Sequence, residues 1–165
     1  MTGLRECVLV AMALPLLACS PQAAEQVPEA SGSAVATANT HPVSGLEVIP
    51  VTVTTASGAH IIQAELAASR EAQRQGLMFR TEMGPDEGML FPYDEPEMMG
   101  FWMRNTVIPL DIIFIDEEGT IINIEPGVPY NEESVESERP GIAVLELVGG
   151  RAEELGIAPG DKVEW

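Results

Sequence analysis

Short β-branched runs separated by turn residues fill the chain from Leu46 to Trp165, and this punctuation is what most limits the fold. Val48 to Thr54 and His60 to Ala67 flank Ala56-Ser57-Gly58, which reads as a hairpin turn. Leu110 to Asp116 and Thr120 to Glu125 flank Glu117-Glu118-Gly119, a second hairpin. Gly88 to Tyr93 is expected as a strand ending at Pro92, and Ile142 to Val148 as another. Phe101 to Met103 is expected to be extended, and Pro159-Gly160-Asp161 should turn the chain into a last strand, Lys162 to Trp165. Two short helices interrupt the pattern. Arg70 to Gln75 is capped by Ser69 and stopped by Gly76, and Arg151 to Leu155 is closed by Gly156. Pro126 to Pro140 is polar, acidic and proline-bounded, which marks a long surface loop. About seven or eight short strands with two short helices predict a mainly β, compact single domain. A β-sandwich or a barrel-like closure fits that count better than alternating βαβ layers.

The residues before this domain have a different composition. Residues 1–19 read as a signal peptide: Arg5, then a mostly apolar run from Cys7 to Ala18, too short to span a bilayer as a mature helix. The run ends Leu16-Leu17-Ala18-Cys19, which resembles the lipobox of bacterial lipoproteins. That resemblance implies cleavage before Cys19 and acylation of its thiol and new amino group, anchoring the chain to a membrane. Ordinary secretion with cleavage near Ala23 or Ala24 is the alternative, giving a soluble periplasmic or secreted protein. Residues 20–45 are rich in Ala, Ser, Thr, Pro, Gln and Glu and read as a flexible tether, with His41 a bystander within it. The organisation expected is therefore signal, tether and a domain over residues 46–165, facing the periplasm in the cell envelope.

Charge and cysteine content exclude several function classes. Eight basic residues face 26 acidic ones, for a net charge of −18, and such a surface repels phosphate backbones. No nucleic-acid partner is expected. Both cysteines, Cys7 and Cys19, precede the domain, so it holds no disulfide, thiolate metal site or cysteine nucleophile. His60 is the domain's sole histidine, and no serine carries a nucleophile-elbow glycine pattern.

The densest stretch is Phe101-Trp102-Met103-Arg104-Asn105-Thr106-Val107-Ile108-Pro109-Leu110-Asp111-Ile112-Ile113-Phe114. Together with Gly76-Leu77-Met78-Phe79-Arg80 and Gly88-Met89-Leu90-Phe91 it resembles a bacterial and archaeal family numbered 192 among the domains of unknown function. The resemblance covers nearly all of residues 46–165 and implies a compact β-sandwich, with no established role for any residue.

Two constellations could carry chemistry. Arg80, Arg104, Asn105, Thr106, Asp111 and Glu146 are polar groups embedded in apolar sequence. A charge flanked by Leu110 and Ile112 is costly to bury alone, so Asp111 calls for a partner. Either Arg80 or Arg104 pairs with Asp111 as a structural clamp, or an arginine beside Trp102 and Asn105 binds a small carboxylate or sugar. The alternation Ile62-Gln63-Ala64-Glu65-Leu66 places Gln63 and Glu65 on a wet face. The second constellation is methionine: six of the chain's eight fall between Met78 and Met103. Met78, Met89 and Met103 read as core; Met83, Met98 and Met99 are candidates for a Cu(I) site. Acidic turns at Asp116-Glu117-Glu118 and Glu132-Glu133 could hold calcium. The reading that these features favour is a non-catalytic, lipid-anchored envelope domain that needs no cofactor and binds a small ligand or a protein partner. The alternative is an envelope enzyme using carboxylates and Arg104.

Overall fold

A computed structural model of the protein describes residues 39–165. The expected signal peptide, the lipobox-like end with Cys19 and the expected tether up to residue 38 lie outside the described residues. The chain order is β1 (Val48–Thr55), β2 (Gly58–Leu66), α1 (Arg70–Gln75), β3 (Glu87–Glu97), β4 (Gly100–Phe101), β5 (Leu110–Ile115), β6 (Ile121–Gly127), β7 (Val135–Glu136), β8 (Gly141–Val148), α2 (Arg151–Leu155) and β9 (Lys162–Glu164). As expected, the domain is mainly β with two short helices.

Seven strands form one mixed sheet in the order β6-β5-β8-β3-β2-β1-β9, and β4 pairs with β7 in a small second sheet. Neighbours run antiparallel except β2 and β3, which are parallel and joined across α1. Local chemistry explains the connections. Thr55 pairs with Gly58 to close the first hairpin, and the Thr55 hydroxyl accepts from Ser57 N. Ser69 caps α1 by accepting from Ala72 N, and Gly76 ends it at φ 46°. In the second hairpin the Asp116 carboxylate accepts from Glu118 N and Thr120 N, and Arg139 pairs with its other oxygen at 2.6 Å.

The large sheet curls until its two edges meet at one corner. Ile121 N donates to Asp161 O, Gly160 N to Ile121 O and Val163 N to Gly119 O, at 2.8–2.9 Å. The sheet does not close along its whole length, but both edge strands are satisfied where they would otherwise be exposed. Inside the curl lies one core, with residues from all seven strands plus Ala152 of α2 and Ile157. The outer face of β3, β5 and β8 carries a second core of Met89, Phe91, Leu110, Ile112, Phe114 and Val144. Ala67, Leu77, Met99 and Met103 cover it, with the small sheet and the connection between β4 and β5. This second layer makes the arrangement a sandwich on one side of a curled sheet.

Two expectations are corrected. β3 does not end at Pro92 but runs to Glu97, because a bulge between Pro92 and Glu97 carries both Pro92 and Pro96 without breaking the ladder to β8. The stretch from Pro126 to Pro140 is not only loop. β6 extends to Gly127, β7 pairs with β4, and Ser137 exchanges two hydrogen bonds of 2.9 Å with the Met99 backbone.

Gly119 shows how tight the closed corner is. It adopts φ 73°, and a Cβ there would stand 2.5 Å from Val163 O, the atom next to the edge-to-edge hydrogen bond. Gly119→Ala should therefore cost about 1–3 kcal/mol through backbone strain and loss of the corner contact. Urea unfolding monitored by circular dichroism measures it, and an unchanged midpoint would remove the corner from the account.

Candidate functional site

The pairing register aligns Glu65 of β2, Met89 of β3, Glu146 of β8 and Ile112 of β5 in one row across the outer face. Both glutamates in that row are buried, with 3% and 5% of their surface exposed. A buried carboxylate needs a cation or several donors. Glu65 has them. Arg80 meets it through two parallel bonds, Nη1 to Oε1 at 2.8 Å and Nη2 to Oε2 at 3.0 Å. The Ser44 hydroxyl donates to Oε2, and His41 Nδ1 stands 3.5 Å from Oε1. The turn after α1 brings Arg80 there, because Leu77 is held in the outer core and Arg80 N bonds back to Leu77 O.

Glu146 has no such partner. Its carboxyl makes no hydrogen bond and no ion pair among the described residues, and burial alone pushes its pKa up to about 8. At neutral pH it is therefore mostly protonated. It lines a pocket of about 270 Å³ together with Phe91, Tyr93, Phe101, Trp102 and Thr106, with Gln73 and Arg74 of α1 on the other side. The aromatic walls are fixed by packing. Phe101 meets Phe91 edge to face at 5.0 Å, and Phe114 behind it at 6.1 Å. The Tyr93 phenol is raised above its ordinary value by burial first, then by the charges of Glu97 and Glu146.

Beside the pocket, three non-glycine residues hold left-handed backbone: Phe79 at φ 63°, Asn105 at 58° and Tyr130 at 62°. They are tied to one turn. Phe79 N donates to Asn105 O, Tyr130 N to Thr106 O, and Met103 N to Asn131 O, at 2.8–3.1 Å. Phe79 and Tyr130 are exposed, as is Trp102, whose ring carries the Arg104 guanidinium at 5.4 Å. Backbone in this region costs of order 1–3 kcal/mol per residue, and such strain gathers at ligand clamps and active sites.

The residues singled out in the sequence separate into different roles. Trp102 and Thr106 line the pocket, and Asn105 holds the strained turn beside it, with its amide 3.9 Å from Met78 Sδ. Asp111 does not pair with Arg80 or Arg104. Its carboxylate accepts from Gly150 N at 3.0 Å and Ala152 N at 2.7 Å, fixing the start of α2, where Gly150 offers no side chain to cap the helix. Arg80 is a clamp on Glu65, and Arg104 is an exposed cation on Trp102. Glu65 lies on the outer face, as alternation requires, but that face is covered there, so it is not wet.

The three methionine candidates differ in exposure. Met99 is buried in the outer core and Met83 packs against that core, whereas Met98 is 56% exposed. Among the described residues no group of three or more His, Cys, Asp or Glu side chains is placed to hold a metal ion. Asp116 is engaged by its own turn and Arg139. A larger open groove of about 1310 Å³ runs between the His41–Leu46 turn and the Met78–Gly84 segment, but the buried charge facing it, Arg80, is already paired. Sequence reasoning noticed Glu146 but had no means of placing it opposite Tyr93 and Phe101.

Residues 51–165 match the family model of domain of unknown function 192, described as an uncharacterized ACR. A comparison with curated proteins gives no significant match. A crystal structure of a protein of unknown function from Novosphingobium aromaticivorans is 54% identical, with a TM-score of 0.76, covering 79% of this chain and 94% of that one. A second, from Sinorhizobium meliloti and described as a proposed transcription regulator, is 43% identical with a TM-score of 0.70, covering 72% of this chain and 94% of that one.

Burial of Glu146 has a measurable consequence for stability. From its unfolded value near 4.5 up to about 8, the folded chain keeps a proton that the unfolded chain has released. Stability associated with this group is thus fully present below that window and lost as pH rises through it. Relative to Glu146→Gln, the native protein should lose roughly 1 kcal/mol per pH unit between about pH 5 and 8. Paired urea titrations across that range test this, and parallel profiles for the two proteins would contradict it.

Proposed function

The chain belongs to the family of domain of unknown function 192, and we propose that it is a non-catalytic binding domain of the cell envelope whose pocket over Glu146 takes a small ligand. The observation that carries this reading is the pocket itself: a buried carboxyl without a protein partner, faced by aromatic rings and bordered by strained backbone. The lining is mixed, with Gln73, Arg74, Gln75 and Thr106 beside the aromatic rings, so polar groups that could fix a ligand's orientation converge on the same cavity. Its volume, about 270 Å³, suits a ligand of modest size. Among the described residues lining it there is no Ser, Cys, His or Lys; the side chains there with oxygen nucleophiles are Tyr93, Thr106 and Glu146.

We also propose export and attachment. The apolar run ending in Leu16-Leu17-Ala18-Cys19 supports lipidation at Cys19, with the residues from Ser20 up to the ordered His41–Leu46 turn as the tether and the domain on the periplasmic side of a membrane. A nucleic-acid ligand is disfavoured by the net charge of −18, so the description of the Sinorhizobium protein is not carried over.

One observation favours a second reading, an envelope enzyme. A carboxyl protonated near neutral pH is what a general acid requires, and Tyr93 stands beside it. The two readings separate in one screen. Amines, sugars, alcohols and organic acids are tested by thermal shift and by the fluorescence of Trp102 in a Trp165→Phe background. One chemical class should stabilise the domain, and Trp102→Leu should weaken that effect at least tenfold. Chemical change of a bound compound, followed by mass spectrometry, would establish the enzyme instead. Fatty-acid analogue labelling should mark the native protein but not Cys19→Ser, and equal labelling would defeat the anchor.

A further inference from the structure

We propose that the pocket over Glu146 selects small organic cations, alkylated ammonium groups or protonated amines, whose charge meets the Glu146 carboxylate while their alkyl groups lie against Phe91, Tyr93, Phe101 and Trp102. This rests on the reading that the pocket holds a ligand and names the class of that ligand.

Three observations lead there. First, the other buried carboxylates of the sheet and its hairpin have been given partners. Glu65 has Arg80, and Asp116 has Arg139 with two backbone N–H groups. Asp111, half-buried, has two backbone N–H groups. Glu146 alone among them faces a cavity in place of a partner, so the group that completes it comes from outside. Second, the walls are aromatic. Ring faces attract cations, and Trp102 already holds one, the Arg104 guanidinium, at 5.4 Å. Third, a chain with a net charge of −18 concentrates cations around it and repels anions before they reach any cleft.

The charged groups around Glu146 are of both signs, and the two arginines oppose a cation unless the Glu146 carboxylate outweighs them. Tyr93 faces it from β3 and is itself under the charge of Glu97, Arg74 lines the pocket from α1, Arg104 lies on Trp102 at the rim, and the neighbour on β5 is Ile112. Arg74 and Arg104 make no hydrogen bond to the Glu146 carboxyl, and only burial shifts it. Binding of a cation at neutral pH thus ionises Glu146 and releases its proton to solvent, keeping the site's charge constant. A neutral alcohol or an organic anion would gain nothing from that ionisation.

Calorimetric titration of the domain with tetramethylammonium, n-butylammonium, 1-pentanol and butyrate tests the inference. The two cations should bind at least tenfold more tightly than the alcohol and the carboxylate. Repeating the titration at pH 7 in two buffers of different ionisation enthalpy should show release of close to one proton per cation. Glu146→Gln should weaken cation binding at least tenfold and abolish proton release while keeping a cooperative unfolding transition. Trp102→Leu, at an exposed position, should weaken it without touching the carboxyl. If 1-pentanol or butyrate binds as tightly as the cations, the cation class falls and the ligand pocket stands. If none of the four binds and none perturbs Trp102 fluorescence, the inference and the pocket reading fall together.

Discussion

Burying two carboxylates in one row of a β-sheet is the constraint on which the rest of this structure depends. Glu65 and Glu146 lie on the same outer face, separated by Met89, and both are buried. An ionised carboxylate in such a place carries a penalty of several kcal/mol unless a partner offsets it. The protein meets that demand in two ways. At Glu65 it supplies a bidentate arginine, drawing the turn after α1 onto the sheet. At Glu146 the described residues supply no partner, and burial favours the protonated carboxyl instead. That asymmetry is the observation on which the proposed ligand site rests.

The fold serves that place by layering. The curled sheet stabilises itself around its inner core and through hydrogen bonds where its edges meet. Its outer face is then free to carry a second, smaller layer whose packing is less complete. The short β4–β7 sheet, the Trp102–Thr106 turn and α1 cover this face but leave a gap above Glu146. Three left-handed residues around the turn show that the backbone there is held against its preference. Phe101, locked between Phe91 and Phe114, makes the wall rigid. A rigid cavity with an unpaired carboxyl is better suited to binding than to stability.

What the sequence disclosed follows from the range of the interactions involved. Both helices and both hairpins were legible because their signals are local. Ser69, Gly76 and Gly156 act within four residues of the bonds that they cap or close. The alternation in β2 gave the right face for Glu65 but not its burial, since the cover comes from residues that are distant in the chain. Asp111 called for a partner, yet its donors are backbone N–H groups 39 and 41 residues away, which no side-chain pattern reveals. β7, a two-residue strand, left no periodicity to read, and β3 hid its continuation behind Pro92 and Pro96. Of the residues lining the pocket, Thr106 stood out because it belongs to the polar trio that interrupts an apolar run, and Trp102 because it stands beside that trio. Their neighbours Tyr93 and Glu146 meet them only through the β3–β8 register and the packing of the second layer over it.

The chemistry of the pocket turns on the protonation of Glu146. Carboxyl carbon-13 chemical shifts of selectively labelled glutamate, assigned through Glu146→Gln and followed from pH 4 to pH 10, read it directly. The expected result is one glutamate titrating near pH 8, with its midpoint moved downward by any ligand that brings a positive charge into the pocket. A Glu146 carboxyl that titrates in the ordinary range near pH 4.5 would mean that the group already has a partner or free water, and the case for an unfilled site would fail.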